Sequence, residues 1–445
     1  MNKLEVKEKL KDNKLPEGWK ITNLADTNYF KIVGSGIEFF KGNKNYLSTN
    51  SVQRTRITHI EENITYFNRP SRANIQPTKN RIAFAKMRNS IKVLYINEKL
   101  EKDYILSTGF SLFEVKIYPK YFYQYVMSCF FNHQKDLLAE GTTQEAISND
   151  DFKRIYISFS PSISEQCKIA EILETVDETI EKTDAIIEKY KRIKQGLMQD
   201  LLTRGIDENG QIRSEETYKF KDSSLGRIPE KWEVKRIIDA IGVKRNLIIA
   251  GPFGSNLKVS DYKKSGIPLI RLQNIEENKF INKDIKYISK KKAKELYYHS
   301  FKNGDIVLAK LGIPVGKTCI IPKNLKFGIV VADVVRIRVF DECADKEFIT
   351  YILNFNTCRK RLNMEIIGTT RPRVNLTQIR SLQLPLPPLP EQQRIAGVLS
   401  QIDETIEKEQ KYKEKLERIK QGLMEDLLTG KVRVNRLFKE GVESV

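Results

Sequence analysis

Histidine is scarce in this chain. His59, His133 and His299 are the only three among 445 residues, so a histidine-built catalytic or metal centre has little material. Cys129, Cys167, Cys319, Cys343 and Cys358 are scattered and no two form a CxxC pair, which argues against a zinc site and for a reducing compartment. No stretch approaches the roughly 18 to 20 consecutive apolar residues that span a bilayer. The charged start MNKLEVKEKLKDNK also lacks the apolar core of a signal peptide. A cytoplasmic protein with no membrane partner is expected. GIPVGKT (312–318) falls short of a phosphate loop: three residues rather than four precede GKT, Leu311 stands where glycine belongs, and a strand-like run follows.

What the chain has is positive charge. Lys and Arg number 77 against 57 Asp and Glu, a formal net charge of +20. A balance of that sign points to a polyanion as partner. Hydrophobic residues at 40% are enough to bury cores, and the length asks for two or more domains.

The chain is written twice. Residues 165–203 and 391–429 align without a gap, sharing EQ, IA, DETIEK, RIKQGLM and DLLT, with about 24 of 39 positions identical. Upstream the repeat continues more weakly in the same order. LPEGW (15–19) answers IPEKW (228–232), RIAFAKM (81–87) answers DIVLAKL (305–311), FEVKIYP (113–119) answers IRVFDE (337–342), and GTT (141–143) answers GTT (368–370). The second copy is about eleven residues longer between Trp232 and its Ala-Lys pair, which predicts an inserted surface loop.

Both closely matched segments have a helical period. In the first, Ile169, Leu173, Val176, Ile180, Thr183, Ile187, Tyr190, Lys194, Leu197 and Leu201 form one seam at alternating steps of four and three. The second keeps Ile395, Leu399, Ile402, Ile406, Leu416, Leu423 and Leu427, but Glu409 and Lys413 interrupt it, and a local slip that brings Tyr412 onto the seam is expected. Each such helix spans roughly 60 Å. Its near twin in the same chain is the natural cover for its apolar stripe, paired antiparallel if the halves are related by a pseudo-twofold axis. Ser164 before Glu165 and the Pro-rich LPLPPLPE (384–391) mark helix starts, and TRG (203–205) and TGK (429–431) mark the stops.

The fold class expected is α+β: two similar recognition domains separated by two long antiparallel coiled-coil helices. The boundaries are 1–158 for the first domain, 159–204 for its helix and 205–227 for a polar linker. The second domain is 228–385 and its helix 386–430, with a tail at 431–445. Short apolar runs such as VLYI (93–96), FEVKI (113–117), IVLAK (306–310), KTCII (317–321) and VVRIRV (334–339) predict strands. Aromatic-rich helices are expected around 120–138 and 345–364.

The helices carry 6 basic against 9 acidic residues in the first copy and 7 against 9 in the second, so the positive charge lies in the globular units. That excludes basic helical arms of the leucine-zipper kind. Loops rich in Arg, Lys, Asn and Gln are the candidates for reading double-stranded DNA, since Arg and Lys match guanine edges and Asn and Gln match adenine. In the first unit these are Lys41, Asn43, Lys44, Asn45, Arg54, Arg56, Arg72, Lys86 and Arg88. In the second they are Ser255, Asn256, Lys258, Arg271, Gln273, Asn274, Lys310, Lys317, Arg371 and Arg373. Lys86 and Lys310 stand out because they occupy matching places in the repeat. Most such side chains in a DNA-binding surface meet phosphate rather than bases.

At this point the chain resembles the specificity subunits of type I restriction–modification enzymes. The resemblance rests on LGRIPEKWEVKR (225–236), GPFGS (251–255), GIPLIRLQNI (266–275), GDIVLAKLGIPVGK (304–317), GTTRPRVN (368–375), LPLPPLPEQQRIA (384–396) and the two IKQGLM helices. PSRAN (70–74), FAKMRNSIKV (84–93) and STGF (107–110) extend it through the first half, where ISFSPSISEQ (157–166) departs from the Pro-rich pattern. The resemblance implies a non-catalytic subunit whose two domains each read one half of an asymmetric bipartite sequence. It also implies helices that set the spacer and dock two methyltransferase subunits. S-adenosylmethionine would belong to those partners, and ATP and Mg to two restriction or motor subunits. This chain is expected to need no cofactor or metal, and it has neither an Asn-Pro-Pro-aromatic tetrapeptide nor a glycine-rich S-adenosylmethionine loop. The alternatives are a stand-alone DNA-binding regulator and a coiled-coil scaffold without sequence preference.

Overall fold

The computed structural model describes residues 15–141, 145–366 and 372–434. They form two compact units. One holds the described residues through Ala185 together with those from Lys411 onward, and the other is Ile186–Gln410.

The first unit contains ten strands that define its layers. They are β1 (Lys20–Asn23), β2 (Phe30–Val33), β3 (Lys44–Leu47), β4 (Glu61–Ile64), β5 (Ala73–Ile75), β6 (Ile82–Ala85), β7 (Val93–Tyr95), β8 (Tyr104–Ser107), β9 (Phe110–Val115) and β10 (Tyr156–Phe159). Two four-stranded sheets run in the orders β2-β9-β6-β7 and β4-β3-β8-β5, and β1 pairs with β10. Helices α1 (Pro119–Met127) and α2 (Cys129–Leu138) follow, and then the long α3 (Ile163–Leu201).

Strand β6, Ile-Ala-Phe-Ala, is buried at every position because both of its faces are covered. Ile82 and Phe84 point into a core with Phe113, Phe122 and Phe131 on the helix side. Ala83 and Ala85 point the other way, toward Leu47, Leu106 and Leu112. The unit is thus helix layer, sheet, sheet. The period-2 rule of a strand puts a large side chain against the helices and a small one between the sheets.

The second unit repeats this strand for strand: β11 (Glu233–Arg236), β12 (Ile248–Ala250), β13 (Ile267–Ile270), β14 (Lys286–Ile288), β15 (Ser300–Lys302), β16 (Ile306–Ala309), β17 (Thr318–Ile320), β18 (Phe327–Val330), β19 (Val334–Ile337) and β20 (Gln383–Leu386). Its sheets run β12-β19-β16-β17 and β14-β13-β18-β15, with β11 paired to β20. The parallel pairing of two neighbouring strands also recurs, Leu47 opposite Leu106 and Ile270 opposite Val330. Helices α4 (Lys346–Asn354), α5 (Asn356–Met364) and α6 (Leu389–Leu428) complete the set. In β16, Ile306 and Leu308 face the helix-side core with Phe348 and Ile352, while Val307 and Ala309 face Ile270 and Val330. The extra length of the second copy is not one inserted loop. It is shared among connections, 251–266 against 34–43 and 289–299 against 65–72 being examples.

Within each unit the long helices pair antiparallel. In the first unit Lys420 meets Asp177 and Lys413 meets Asp184, so seven residues forward in α3 match seven residues back in α6. In the second, Lys194 meets Asp403. None of the ten seam residues of α3 is exposed, and Ile169 and Leu173 are fully buried. Burying side chains of that size stabilises by ~1.5–3 kcal/mol each. The expected slip at Tyr412 does not occur. Tyr412 is exposed, and Lys413 keeps its place because Asp184 neutralises it at 2.7 Å.

The helix ends differ in detail from expectation. Ser162, not Ser164, caps α3, its hydroxyl accepting from the Glu165 N–H at 3.3 Å. The first part of the Pro-rich segment is strand β20, and Pro385 is tolerated there because the sheet has only two strands. Both glycine stops hold: Gly205 (φ +66) and Gly430 (φ +74) are left-handed, and a Cβ would collide at Gly205 with Glu391, Arg213 and Trp232 and at Gly430 with Pro16, beside Trp19. Among the described residues no helix is long and apolar enough to cross a membrane.

The EQ pair of each repeat explains itself here. Glu165 receives the Arg433 guanidinium at 2.6 and 2.9 Å, and Gln166 bonds the Tyr118 N–H and the Ser160 carbonyl. In the second unit Glu391 receives Arg213 at 2.5 and 2.9 Å and the Trp232 indole N–H at 3.3 Å. Gln392 there bonds the Asp345 N–H and the Pro387 carbonyl. In both cases the arginine comes from the segment following the other copy's helix.

Candidate nucleic-acid interface

Lys86 and Lys310 emerge just past the ends of the central strands β6 and β16, and the backbone treats them alike. The Lys86 N–H donates to Gly109 at 3.0 Å and its carbonyl accepts from Ile147; the Lys310 N–H donates to Asp333 at 3.0 Å and its carbonyl accepts from Val374. Isolated antiparallel bridges follow at matching places, Met87 with Ala146 and Leu311 with Arg373. Burial lowers the Lys86 ammonium below its ordinary value. Burial also lowers Lys310, the Asp333 carboxylate opposes that, and Arg373 adds to it. A half-buried ammonium beside a like charge is ready to accept an anionic ligand.

In the first unit the β8–β9 turn gathers the candidates. The Thr108 N–H donates to the Arg72 carbonyl at 2.9 Å, so Arg72 and Lys86 flank the same turn. Arg54 is exposed in a left-handed turn (φ 56), its carbonyl accepting from Val93. Lys41 and Asn43 are exposed, with Asn43 bonded to Asn63 at 3.3 Å. Lys44 lies over the Phe40 ring at 5.4 Å, and Asn45 is half-buried within β3. Two cations are already engaged: Arg88 by Glu145 at 2.6 Å and Arg56 by Asp184 at 2.9 Å.

In the second unit the β18–β19 turn does the same. Lys310 bonds it at Asp333, Val331 donates to Ile270 just before Arg271, and Gly251, which opens the GPFGS loop, donates to Val334. Arg373 is exposed beside Lys310, and Ser255, Asn256, Lys258 and Gln273 are exposed as well. Asn274 is not at the surface. It is fully buried, its amide donates to the Ile281 and Lys283 carbonyls, and its oxygen accepts from the Arg271 N–H. That residue shapes the loop. Arg271 itself donates to the Asp284 carbonyl at 2.5 Å, and Lys317 is paired with Glu276 at 2.7 Å. Arg371 and the second GTT lie outside the described residues, as do two residues of the first.

Two features escape sequence reading. Lys135 in α2 is fully buried and donates to the Met87 and Ser90 carbonyls at 2.8 and 2.6 Å, while Asp136 accepts from the Asn89 N–H. This clamps the loop that follows Lys86. In the second unit Asn363 of α5 accepts from the Val315 N–H in the loop after Lys310. The other feature is a set of exposed aromatics, Phe39 and Phe67 in the first unit and Phe253, Tyr297 and Tyr298 in the second.

The fold and the site together define a tandemly duplicated α+β chain, each copy offering a cationic loop cluster and ending in a long helix. The family model for the type I restriction modification DNA specificity domain matches residues 16–192 and again 229–418. The chain belongs to the specificity subunits of type I restriction–modification systems, and its part there is DNA recognition, not catalysis. It is 31% identical over 302 residues to the type I restriction enzyme MjaVIII specificity subunit of Methanocaldococcus jannaschii, spanning 67% of each chain. To the EcoKI specificity subunit of Escherichia coli it is 25% identical over 216 residues, 47% of this chain and 45% of that one. Among solved structures, the type I restriction–modification S subunit from M. genitalium superposes with a TM-score of 0.56 at 13% identity, covering 94% of this chain and 97% of that one. A chain from a study of complex assembly in the type I system gives 0.55 at 18% identity, covering 94% and 100%. At such identities these two bear on the fold alone.

Proposed function

We propose that the chain reads an asymmetric, two-part sequence on double-stranded DNA, one half with residues 1–158 and the other with residues 228–385. The helices within 159–204 and 386–430 set the unread spacer and dock two methyltransferase subunits. Residues 205–227 join the halves. The observation that carries this reading is the equivalence of Lys86 and Lys310, two cations on matching strand ends with matching backbone bonds in two copies of one fold. A protein that used one contiguous site would have no reason to keep both.

Lys310, Arg373, Lys86 and Arg72 are the first choices for contacts to DNA, being grouped around the β8–β9 and β18–β19 turns. Lys41, Asn43, Lys44, Asn45, Arg54, Ser255, Asn256, Lys258, Arg271, Gln273 and Arg371 supply the wider surface. Arg56, Arg88 and Lys317 would have to exchange a carboxylate for phosphate, and Asn274 acts through the loop it holds. The chemistry lies with partners. The methyltransferase subunits bind S-adenosylmethionine and methylate adenine, and two restriction or motor subunits use ATP and Mg, all in the cytoplasm. Mapping methylated adenines in cells that express this chain with its methyltransferase partner tests the proposal. Methylation of two half-motifs at a fixed separation is expected, and methylation of one undivided motif would overturn it.

A further inference from the structure

The connection between β4 and β5 carries more exposed aromatic surface than a soluble loop needs. Phe67 is 86% exposed and Phe39, from the β2–β3 connection, 59%. Tyr66 and Phe67 pack edge to face at 5.5 Å, and Phe39 stands 5.2 Å from Tyr66. Single exposed aromatics are ordinary, but a packed group with exposed rims marks a contact surface. Its tip is rigid. The Thr65 N–H donates to the Asn68 side chain at 2.6 Å, the Asn68 N–H donates to the Thr65 hydroxyl at 3.2 Å, and Arg69 donates to the Ala73 carbonyl behind them.

The surrounding charge says what kind of partner fits. The Arg69 guanidinium lies 4.3 Å from the Tyr66 ring and the Lys44 ammonium 5.4 Å from Phe40. In the second unit the connection between β14 and β15 holds the same position in the topology, without sequence similarity. A short helix rich in lysine (Lys290–Glu295) leads there to Tyr297, which is 63% exposed. Tyr297 is stacked on Phe327 at 6.0 Å, and its neighbour Tyr298 donates to Asn246 at 3.2 Å. Cations lying against the aromatic cluster in the first unit, and a lysine-rich helix leading to Tyr297 in the second, suit the base faces and phosphates of nucleic acid rather than a neutral apolar partner.

We propose that Phe67 and Tyr297 wedge against bases at a step of the duplex held by their respective units, so that each half-site is read partly through how easily it unstacks. The inference rests on the DNA-reading function above and deepens it. An apolar wedge makes discrimination depend on deformability at base pairs that no polar side chain touches.

Duplexes are selected from a random-sequence pool by the full chain, alone and assembled with its methyltransferase partner. Fluorescence is then read on the chain alone, because the partner's own extrusion of the target adenine would brighten 2-aminopurine. Duplexes carrying 2-aminopurine at successive steps should brighten on binding at one position in each half-site. Phe67→Ala should abolish the brightening in one half-site and weaken binding about tenfold, the usual scale for losing one base–aromatic contact. Tyr297→Ala should do the same in the other half-site, and Phe67→Trp should retain both signals. Neither alanine variant removes a charge, so the salt dependence should keep its slope. Unchanged affinity and brightening in the alanine variants would overturn the inference while leaving DNA reading intact. Failure of the unaltered chain to select any duplex would overturn the DNA reading, and the wedge with it.

Discussion

The ammonium of Lys420, almost wholly buried, donates to both carboxylate oxygens of Asp177 at 2.5 and 2.7 Å. The repeat places the mirror-image pair at Lys194 and Asp403. Each pair ties one long helix to the other inside a single unit, and each carboxylate takes a further bond from the helix layer, Gln124 onto Asp177 and Tyr351 onto Asp403. A buried pair of this kind adds little over an apolar substitute but is costly to break from one side. Lys420→Met should therefore destabilise the first unit by ~2–4 kcal/mol, because Asp177 loses its counter-charge. Lys194→Met should cost less, since the ammonium of Lys194 is 17% exposed against 4% for Lys420, while the two carboxylates are equally exposed. Urea unfolding of the two variants, followed at tryptophan, checks the order. Equal losses would mean that burial does not govern these bridges.

Glu165 gives the pH dependence a sign. Burial pushes its carboxyl upward, but the Arg433 guanidinium, Ser160 and Trp19 together outweigh that and hold it below the ordinary 4.5. A carboxyl with a lowered folded value contributes stability that is present above its unfolded value and lost as pH falls through the folded one. The difference in unfolding free energy between the unaltered chain and Glu165→Gln should thus be largest above pH 4.5 and shrink as the medium is acidified below it. A difference that stays constant down to pH 3 would show that the Arg433 contact is not electrostatic in origin.

The halves of the fold were legible because the repeat is a sequence property: shared motifs fix both long helices, and short apolar or alternating runs fix β7, β9, β16, β17 and β19. The closure of each Trp–Glu pocket was not. Arg213 and Arg433 fall outside the aligned segments and at different offsets from them, so nothing in the one-dimensional pattern pairs them. The continuous seam through Lys413 was hidden for a similar reason, since a lysine looks like an interruption until Asp184 on the opposing helix is seen to neutralise it. Among the candidate contacts, strand-end Lys86 and Lys310 were visible through duplication, whereas the burial of Asn274 was not, because exposed and loop-shaping asparagines have the same local sequence. Phe67 and Tyr297 left no trace in the alignment, as they share a place in the topology and no motif.

Lys135 is a positioning residue. Its buried ammonium satisfies the Met87 and Ser90 carbonyls and lies 3.4 Å from Asp136. Replacing it with methionine keeps the stem and strands two carbonyls, a loss of ~2–3 kcal/mol by the usual cost of unsatisfied buried groups. Much of that loss should be local. Amide exchange in the loop of 87–90 should accelerate more than exchange in β6, and DNA binding should weaken although no contacting side chain is changed. Uniform acceleration throughout the first unit would indicate a general core defect and no special hold on the loop.

Lys86 and Lys310 supply the most direct test of the DNA surface. Burial has lowered both ammonium groups from the ordinary 10.5, so both lose their proton at a lower pH than surface lysines do. A phosphate arriving beside them favours the charged form and raises the value again, so binding takes up protons once the pH exceeds the free chain's lowered value. Affinity for duplex should accordingly fall as pH rises through the interval below 10.5, where exposed lysines remain charged. Lys86→Met and Lys310→Met should each flatten that fall. Each should also reduce the slope of log K against log salt by about one, the signature of one lost phosphate contact. Titrating a selected duplex at several pH values and salt concentrations measures both effects together. A variant that keeps the full salt slope would remove that lysine from the DNA surface.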